Sequence, residues 1–100
     1  MASYQIQYWH DIPVLVRAKV GRERISAQLP SRFMEAVDSA AMSAGLIGTD
    51  EYLSGFRWGE IVEQAGTAQE VADAVAASLD QQHPTIDWQA TAKAIKAAAS

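Results

Sequence analysis

Residues 7–16, QYWHDIPVLV, place two aromatic rings, a histidine and an aspartate directly before a proline and a run of branched aliphatic residues. Upstream of the proline the side chains alternate, with Tyr4, Ile6 and Tyr8 on one side and Gln5, Gln7 and Trp9 on the other. A period of two is typical of a strand with one covered face. Pro13 has no backbone N–H and disfavours a helical residue before it, so the chain must turn there. The decapeptide therefore predicts a strand, a corner and the start of a second strand.

The alternation continues on both sides of Gly21. The apolar positions before this glycine are Val14, Val16, Ala18 and Val20, and those after it are Ile25, Ala27 and Leu29. A glycine where two alternating arms meet predicts a hairpin. A third strand therefore ends near Pro30.

The middle of the chain predicts a helix, a short turn and a fourth strand. Ser31 is a favourable N-cap residue for SRFMEAVDSAAMSAG, and Gly45 suits its left-handed C-cap. The segment LIGTDEYLSG is interpreted as a loop with one helical turn, which Thr49 could cap. FRWGEIVEQ is interpreted as a strand that bulges or bends at Gly59.

Two further helices follow. Thr67 and Glu70 match the capping-box pattern ahead of apolar residues at four-residue intervals. Pro84 is expected to mark the end of this helix, and Asp87 can cap a last helix that begins with Trp88.

The order β-β-β-α-β-α-α has short connections, which favour antiparallel pairing with the helices on one face. We therefore predict an α+β fold with an antiparallel sheet of three to four strands and two to three helices. Residues 1–82 are expected to form the domain, and residues 83–100 a C-terminal helical extension that packs on it.

Composition excludes several classes of function. The chain of 100 residues has a net charge of -4, and its few Lys and Arg are scattered along the sequence, so nucleic acid is not an expected partner. No apolar run approaches the roughly 20 residues of a membrane span, so we expect a cytoplasmic protein without membrane contact. The absence of cysteine excludes disulfides and thiolate metal sites.

Catalytic and metal sites have weak support. His10 and Asp11 are adjacent, and neighbours on a strand point to opposite faces, so we expect Asp11 to hold the turn through an Asx-type hydrogen bond. His83 is the only other histidine, and two histidines without cysteine do not form a typical metal site. We therefore predict no catalytic residue, no metal and no cofactor.

The aromatic residues are more informative. Tyr4, Tyr8, Trp9, Tyr52, Phe56 and Trp58 are more rings than one face of a small core is expected to bury. Trp9 lies on the side opposite Ile6 and Tyr8, and an exposed tryptophan near an arginine such as Arg57 is a common interface anchor. The alternative is that Trp9 lies under the C-terminal helix in a second core.

The segments YWHDIP, GTDEYL and TAQEVA, in this order, resemble a small bacterial family called the virulence factor domain. The resemblance covers residues 3 to about 82 and leaves Trp88 outside. Its matching positions are Tyr8, Trp9, Asp11, Pro13, Arg32, Phe33, Asp50, Tyr52, Leu53 and Trp58. Some members of the family occur beside folate one-carbon and corrinoid methyl-transfer enzymes, so the resemblance implies an accessory subunit.

Three hypotheses follow. The first is a non-catalytic domain that binds a larger cytosolic enzyme through Trp9, Arg57 and Trp58, with Tyr8, Asp11 and Tyr52 as further contacts. The second is an enzyme or small-anion-binding module with a pocket formed by Tyr8, His10, Asp11 and Arg57. The third is a homo-oligomeric structural protein.

Overall fold

The computed structural model describes residues 1–99. Five strands and four helices follow one another in the chain: β1 (Ala2–Trp9), β2 (Ile12–Val20), β3 (Glu23–Gln28), α1 (Ser31–Ala44), α2 (Asp50–Ser54), β4 (Phe56–Trp58), β5 (Val62–Gln64), α3 (Ala68–Gln82) and α4 (Trp88–Ala99).

The strands form one antiparallel sheet in the order β3-β2-β1-β4, and β5 pairs with the first half of β1. This architecture confirms the predicted α+β class. The expected fourth strand is divided into β4 and β5 because the chain passes very close to β1 at Gly59. A Cβ atom at this position would lie 3.0 Å from the Tyr8 ring and 3.2 Å from the backbone oxygen of Ile6.

The corner before Pro13 contains an irregularity in strand pairing. Gln7 pairs with Leu15, whereas Tyr8 pairs with Pro13, so Val14 is an extra residue in β2. An extra residue of this kind is a β-bulge, which bends the strand and increases its twist. Beyond the bulge, Trp9 pairs with Ile12.

Buried residues form two hydrophobic clusters. The first contains Val14 and residues of α1 and α4, and the second contains Val16, Ala18 and residues of α3. Strand β2 therefore contributes residues to both clusters. Helix α3 covers the sheet face that carries Tyr4, Ile6 and Val16, and α1 and α4 cover the end of the sheet around Trp9 and Ile12.

Helix α1 is tied to the end of α3 by Arg32. Its guanidinium donates hydrogen bonds to the backbone oxygens of Asp80 and His83 and forms an ion pair with the Asp80 carboxylate. The Phe33 and His83 rings also meet edge to face, with their centroids 6.0 Å apart. These contacts explain Arg32 and Phe33 as structural residues.

Most of the predicted helix caps are present. Gly45 ends α1 with φ of 74°, Thr67 and Glu70 form the capping box of α3, and the Asp87 carboxylate accepts from the backbone N–H of Ala90. Ser31 is a correction, since it is the first helical residue and Pro30 occupies the N-cap without a side-chain hydrogen bond. A proline that fixes the backbone before the helix replaces the expected hydroxyl cap.

Candidate functional site

The six residues expected to bind a partner do not form one surface. Trp9 is buried, Asp11 and Arg57 lie at a cleft beside α4, and Trp58 lies on the sheet face opposite α3. Tyr8 pairs with Arg57 and shares the helix-covered side of the sheet, and Tyr52 packs on Trp9. The six residues therefore lie on different sides of the sheet, and no single partner surface contains all of them.

The expectation that Trp9 is exposed is wrong. Its side chain is 0% exposed and belongs to the cluster that includes Ala92 of α4. Its indole N–H donates to the backbone oxygen of Tyr52 at 2.8 Å. Trp9 pairs with Ile12, and this part of the sheet is covered by α1 and α4, whose residues share one cluster with both side chains. The alternative, a second core under the C-terminal helix, is what the structure shows.

Asp11 and Tyr52 also have structural partners. The Thr91 hydroxyl of α4 donates to the Asp11 carboxylate at 2.6 Å, so this side chain holds α4 instead of forming the expected Asx-type bond. The Tyr52 hydroxyl donates to the Asp38 carboxylate at 3.3 Å. Partial burial and the negative charge of Asp38 raise the pKa of the Tyr52 phenol above its usual value of 10.0. Both residues help to assemble the core.

A cleft of about 460 Å³ brings together three residues of the second hypothesis. His10, Asp11 and Arg57 line it with Thr91 and the apolar side chains of α4. His10 has φ of 55°, a left-handed conformation that is uncommon for residues other than glycine. Its Nε2 atom is buried and has no hydrogen-bond partner in residues 1–99. These features make the cleft the second candidate site.

Arg57 links the cleft to the neighbouring strand. Its Nε donates to the backbone oxygen of His10 at 3.1 Å, and its guanidinium lies 4.7 Å from the centroid of the Tyr8 ring. Tyr8 itself does not line the cleft. The negative charge of Asp11 opposes an anion there, while Arg57 attracts one. The cleft suits a ligand that has both an apolar body and a charged group.

The other face of the sheet, which we call the outer sheet face, carries Trp58. The residues that the strand register places on this face are exposed or half-buried: Ser3, Gln5, Gln7, Leu15, Arg17, Lys19, Arg24, Ser26, Gln28, Trp58 and Glu63. The guanidinium of Arg17 lies 4.1 Å from the centroid of the Trp58 ring, which is a cation–π contact. Trp58 is 36% exposed and Ile61, at the margin of this face, is 69% exposed. This face therefore presents a fixed aromatic ring beside a cation.

Sequence reasoning missed the basic character of this face. The lysines and arginines are scattered along the sequence, but in the fold Arg17 and Lys19 lie on β2 and Lys19 pairs directly with Arg24 of β3. The signal was present in the hairpin itself, since residues equally distant from its turn pair across the two strands.

No group of three or more histidine, aspartate or glutamate side chains in residues 1–99 could hold a metal ion. Within the same residues, no helix has both the length and the apolar character needed to cross a membrane.

A family model described as Virulence factor matches residues 7–90. The matched range contains the YWHDIP and GTDEYL segments and extends to Trp88, which the resemblance had left outside. Searches of curated proteins and of solved structures found no significant match.

Proposed function

The chain belongs to the Virulence factor family, and from this premise we propose that it is a non-catalytic accessory domain that binds a larger cytosolic bacterial enzyme. The observation that supports the proposal best is the half-exposed Trp58 ring, held by Arg17 on the outer sheet face. Tryptophan and arginine are the residue types most enriched among those that dominate binding energy. The anchor is thus Trp58 in place of the buried Trp9.

The proposed partner presents an acidic surface to this face. Arg17, Lys19 and Arg24 flank the apolar side chains of Trp58 and Ile61, so a complementary surface would combine acidic groups with an apolar pocket. The choice of a folate or corrinoid methyl-transfer enzyme as partner rests on the family resemblance alone.

The test replaces Trp58 with alanine. Affinity purification of the tagged protein from its native host, with Leu53→Ala as the matched control, identifies the companion, and titration then measures affinity. Leu53 is also exposed, at 67%, but lies on α2. We expect Trp58→Ala to weaken binding by about 2 kcal/mol, or about 30-fold in Kd. Equal capture and equal Kd for Trp58→Ala and the parent protein would exclude this face.

The mass of the purified chain in solution separates this proposal from the homo-oligomer hypothesis. A monomer that becomes part of a larger complex only with its partner supports an accessory domain. A stable dimer whose formation is lost in Trp58→Ala would instead assign the same face to self-association.

The cleft beside α4 favours a second candidate function, a small-ligand-binding module. His10, Asp11 and Arg57 converge there as that hypothesis requires. Benzoate is a suitable probe, since its ring matches the apolar wall of Ala94 and Ile95 and its carboxylate can meet Arg57. Saturable NMR shifts at the cleft that Arg57→Gln abolishes and Lys93→Gln retains would support this function. Equal shifts in both variants would exclude a ligand-binding function for this cleft.

A further inference from the structure

The positive charge of this acidic protein is concentrated on one hairpin. Residues 12–28 contain four basic residues and one acidic residue, which gives a net charge of +3. The rest of the chain contains four basic and eleven acidic residues, a net charge of -7. The two values add to the total of -4.

Three of these cations converge on a small pocket of the outer sheet face. The pocket has a volume of about 110 Å³, and Arg17, Lys19 and Arg24 line it together with Ser3. Lys19 and Arg24 are direct cross-strand partners, and like charges in this position repel one another. The fold therefore holds together charges that destabilise it.

No acidic residue compensates these charges at the pocket. None lines it, and within residues 1–99 Arg17, Lys19 and Arg24 form no ion pair. Glu63 of β5 lies on the same face and pairs with Ser3, but its backbone is about 10 Å from that of Lys19, and the two side chains form no ion pair. By contrast, Arg32 elsewhere in the protein is paired with Asp80. The three cations are left available to an external anion.

Protection of the sheet edge does not account for this arrangement. Charged side chains on an edge strand commonly prevent edge-to-edge association, and Arg24 lies on the edge strand β3. Arg17 and Lys19, however, lie on β2, which pairs on both sides. The stacking of Arg17 on Trp58 also fixes its guanidinium while the N–H groups at its rim remain able to donate.

We propose that this pocket binds a small dianion of the phosphomonoester class. Its volume admits one tetrahedral oxyanion, the guanidinium groups match phosphate oxygens, and Lys19 adds a point charge. The Ser3 hydroxyl provides a further donor. This pocket is separate from the cleft beside α4. The proposal does not rest on the proposed function, because the isolated chain is sufficient to bind the ligand.

The test is an NMR titration of the isolated protein with inorganic phosphate at low ionic strength. We expect saturable shifts of the backbone amides of residues 3, 17, 19 and 24. The double variant Lys19→Gln with Arg24→Gln should lower the affinity roughly tenfold or more, since each lost charge-assisted contact costs binding energy. Its thermal stability should equal or exceed that of the parent protein, because a repulsive pair has been removed.

The matched control is the double variant Arg22→Gln with Lys93→Gln, which removes the same charge outside the pocket. It should retain the affinity for phosphate. An equal loss of affinity in both double variants would show only diffuse attraction, and an absence of saturable shifts in the parent protein would also overturn the proposal. Titrations with glucose 6-phosphate and with a phosphoserine peptide then show whether a free metabolite or a modified side chain is the better source of the dianion.

Discussion

At the scale of single residues, Gly55 shows how closely the chain is packed around Trp9. Its backbone conformation, with φ of -72°, is open to any residue. A Cβ atom at this position, however, would lie 2.6 Å from Nε1 of Trp9 and 3.0 Å from Nε2 of His10. Space, and not backbone strain, therefore requires glycine here.

We expect Gly55→Ala to lower the free energy of unfolding by about 1–3 kcal/mol, as is typical of an added methyl group in a packed site. Urea unfolding measures the change. The control places Gly55→Ala in a Trp9→Phe background, where the obstructing nitrogen is absent. Only the close approach to His10 then remains, so the added cost of the alanine should be smaller, and an equal cost in both backgrounds would contradict the proposed clash with Trp9.

The same residues mark the limit of prediction from sequence. Alternation correctly separates Trp9 from Ile6 and Tyr8, but it does not show which elements cover Trp9. The cover comes from α1 and α4, which are distant from Trp9 in the sequence, so no local pattern identifies it. The cleft was likewise hidden, since the hydrogen bond between Thr91 and Asp11 joins residues 80 positions apart.

At the scale of secondary-structure elements, the start of α3 depends on a reciprocal pair of hydrogen bonds. The backbone N–H of Thr67 donates to the Glu70 carboxylate at 3.0 Å, and the backbone N–H of Glu70 donates to the Thr67 hydroxyl at 3.1 Å. The hydrogen bond from the backbone N–H of Thr67 lowers the pKa of Glu70 below its usual value of 4.5, and the bond with the Thr67 side chain adds to this effect. A group with a lowered pKa in the folded state stabilises the fold above its unfolded pKa and loses this effect as pH falls through the folded value.

We therefore expect Glu70→Gln to be less stable than the parent protein at neutral pH. The difference should shrink as the pH falls below 4.5, because glutamine keeps the capping geometry but does not titrate. Thermal unfolding across this pH range provides the measurement. Glu35→Gln, an exposed change on α1, is the control. A stability difference for Glu70→Gln that is constant with pH would show that the carboxylate charge does not contribute.

The helix ends that the sequence predicts correctly are those that depend on nearby residues. The capping box of α3 and the glycine at the end of α1 act within a few residues, so the sequence carries them directly. The break between β4 and β5 was predicted at Gly59, but its physical cause was not. It depends on the approach of Gly59 to Ile6 and Tyr8 of β1, which is a tertiary contact.

At the scale of the whole molecule, the two hydrophobic clusters are connected through strand β2 and through the contact between α1 and α3. Val37 is central to the cluster of α1 and α4, and Val71 to the cluster of α3. Because β2 enters both clusters and Arg32 joins α1 to α3, we expect the clusters to unfold together.

Val37→Ala and Val71→Ala should each lower the free energy of unfolding by about 2 kcal/mol. Trp9 and Trp88 both report on the first cluster, so a Trp58→Phe background makes tryptophan fluorescence specific to it. Val71→Ala should still shift the fluorescence transition, and it should coincide with the transition followed by circular dichroism. A fluorescence midpoint unaffected by Val71→Ala would mean that the two clusters unfold separately.

The uneven charge of the hairpin and the remaining chain gives this molecule a large electric dipole. In the field of an acidic surface it would rotate during diffusion so that the turn at Gly21 leads, and the outer sheet face would be brought forward before any short-range contact forms. Dissolved salt shortens the reach of that field. The rate of association with a negatively charged target should therefore fall as ionic strength rises. The rate of dissociation depends on close packing around Trp58 and should change much less.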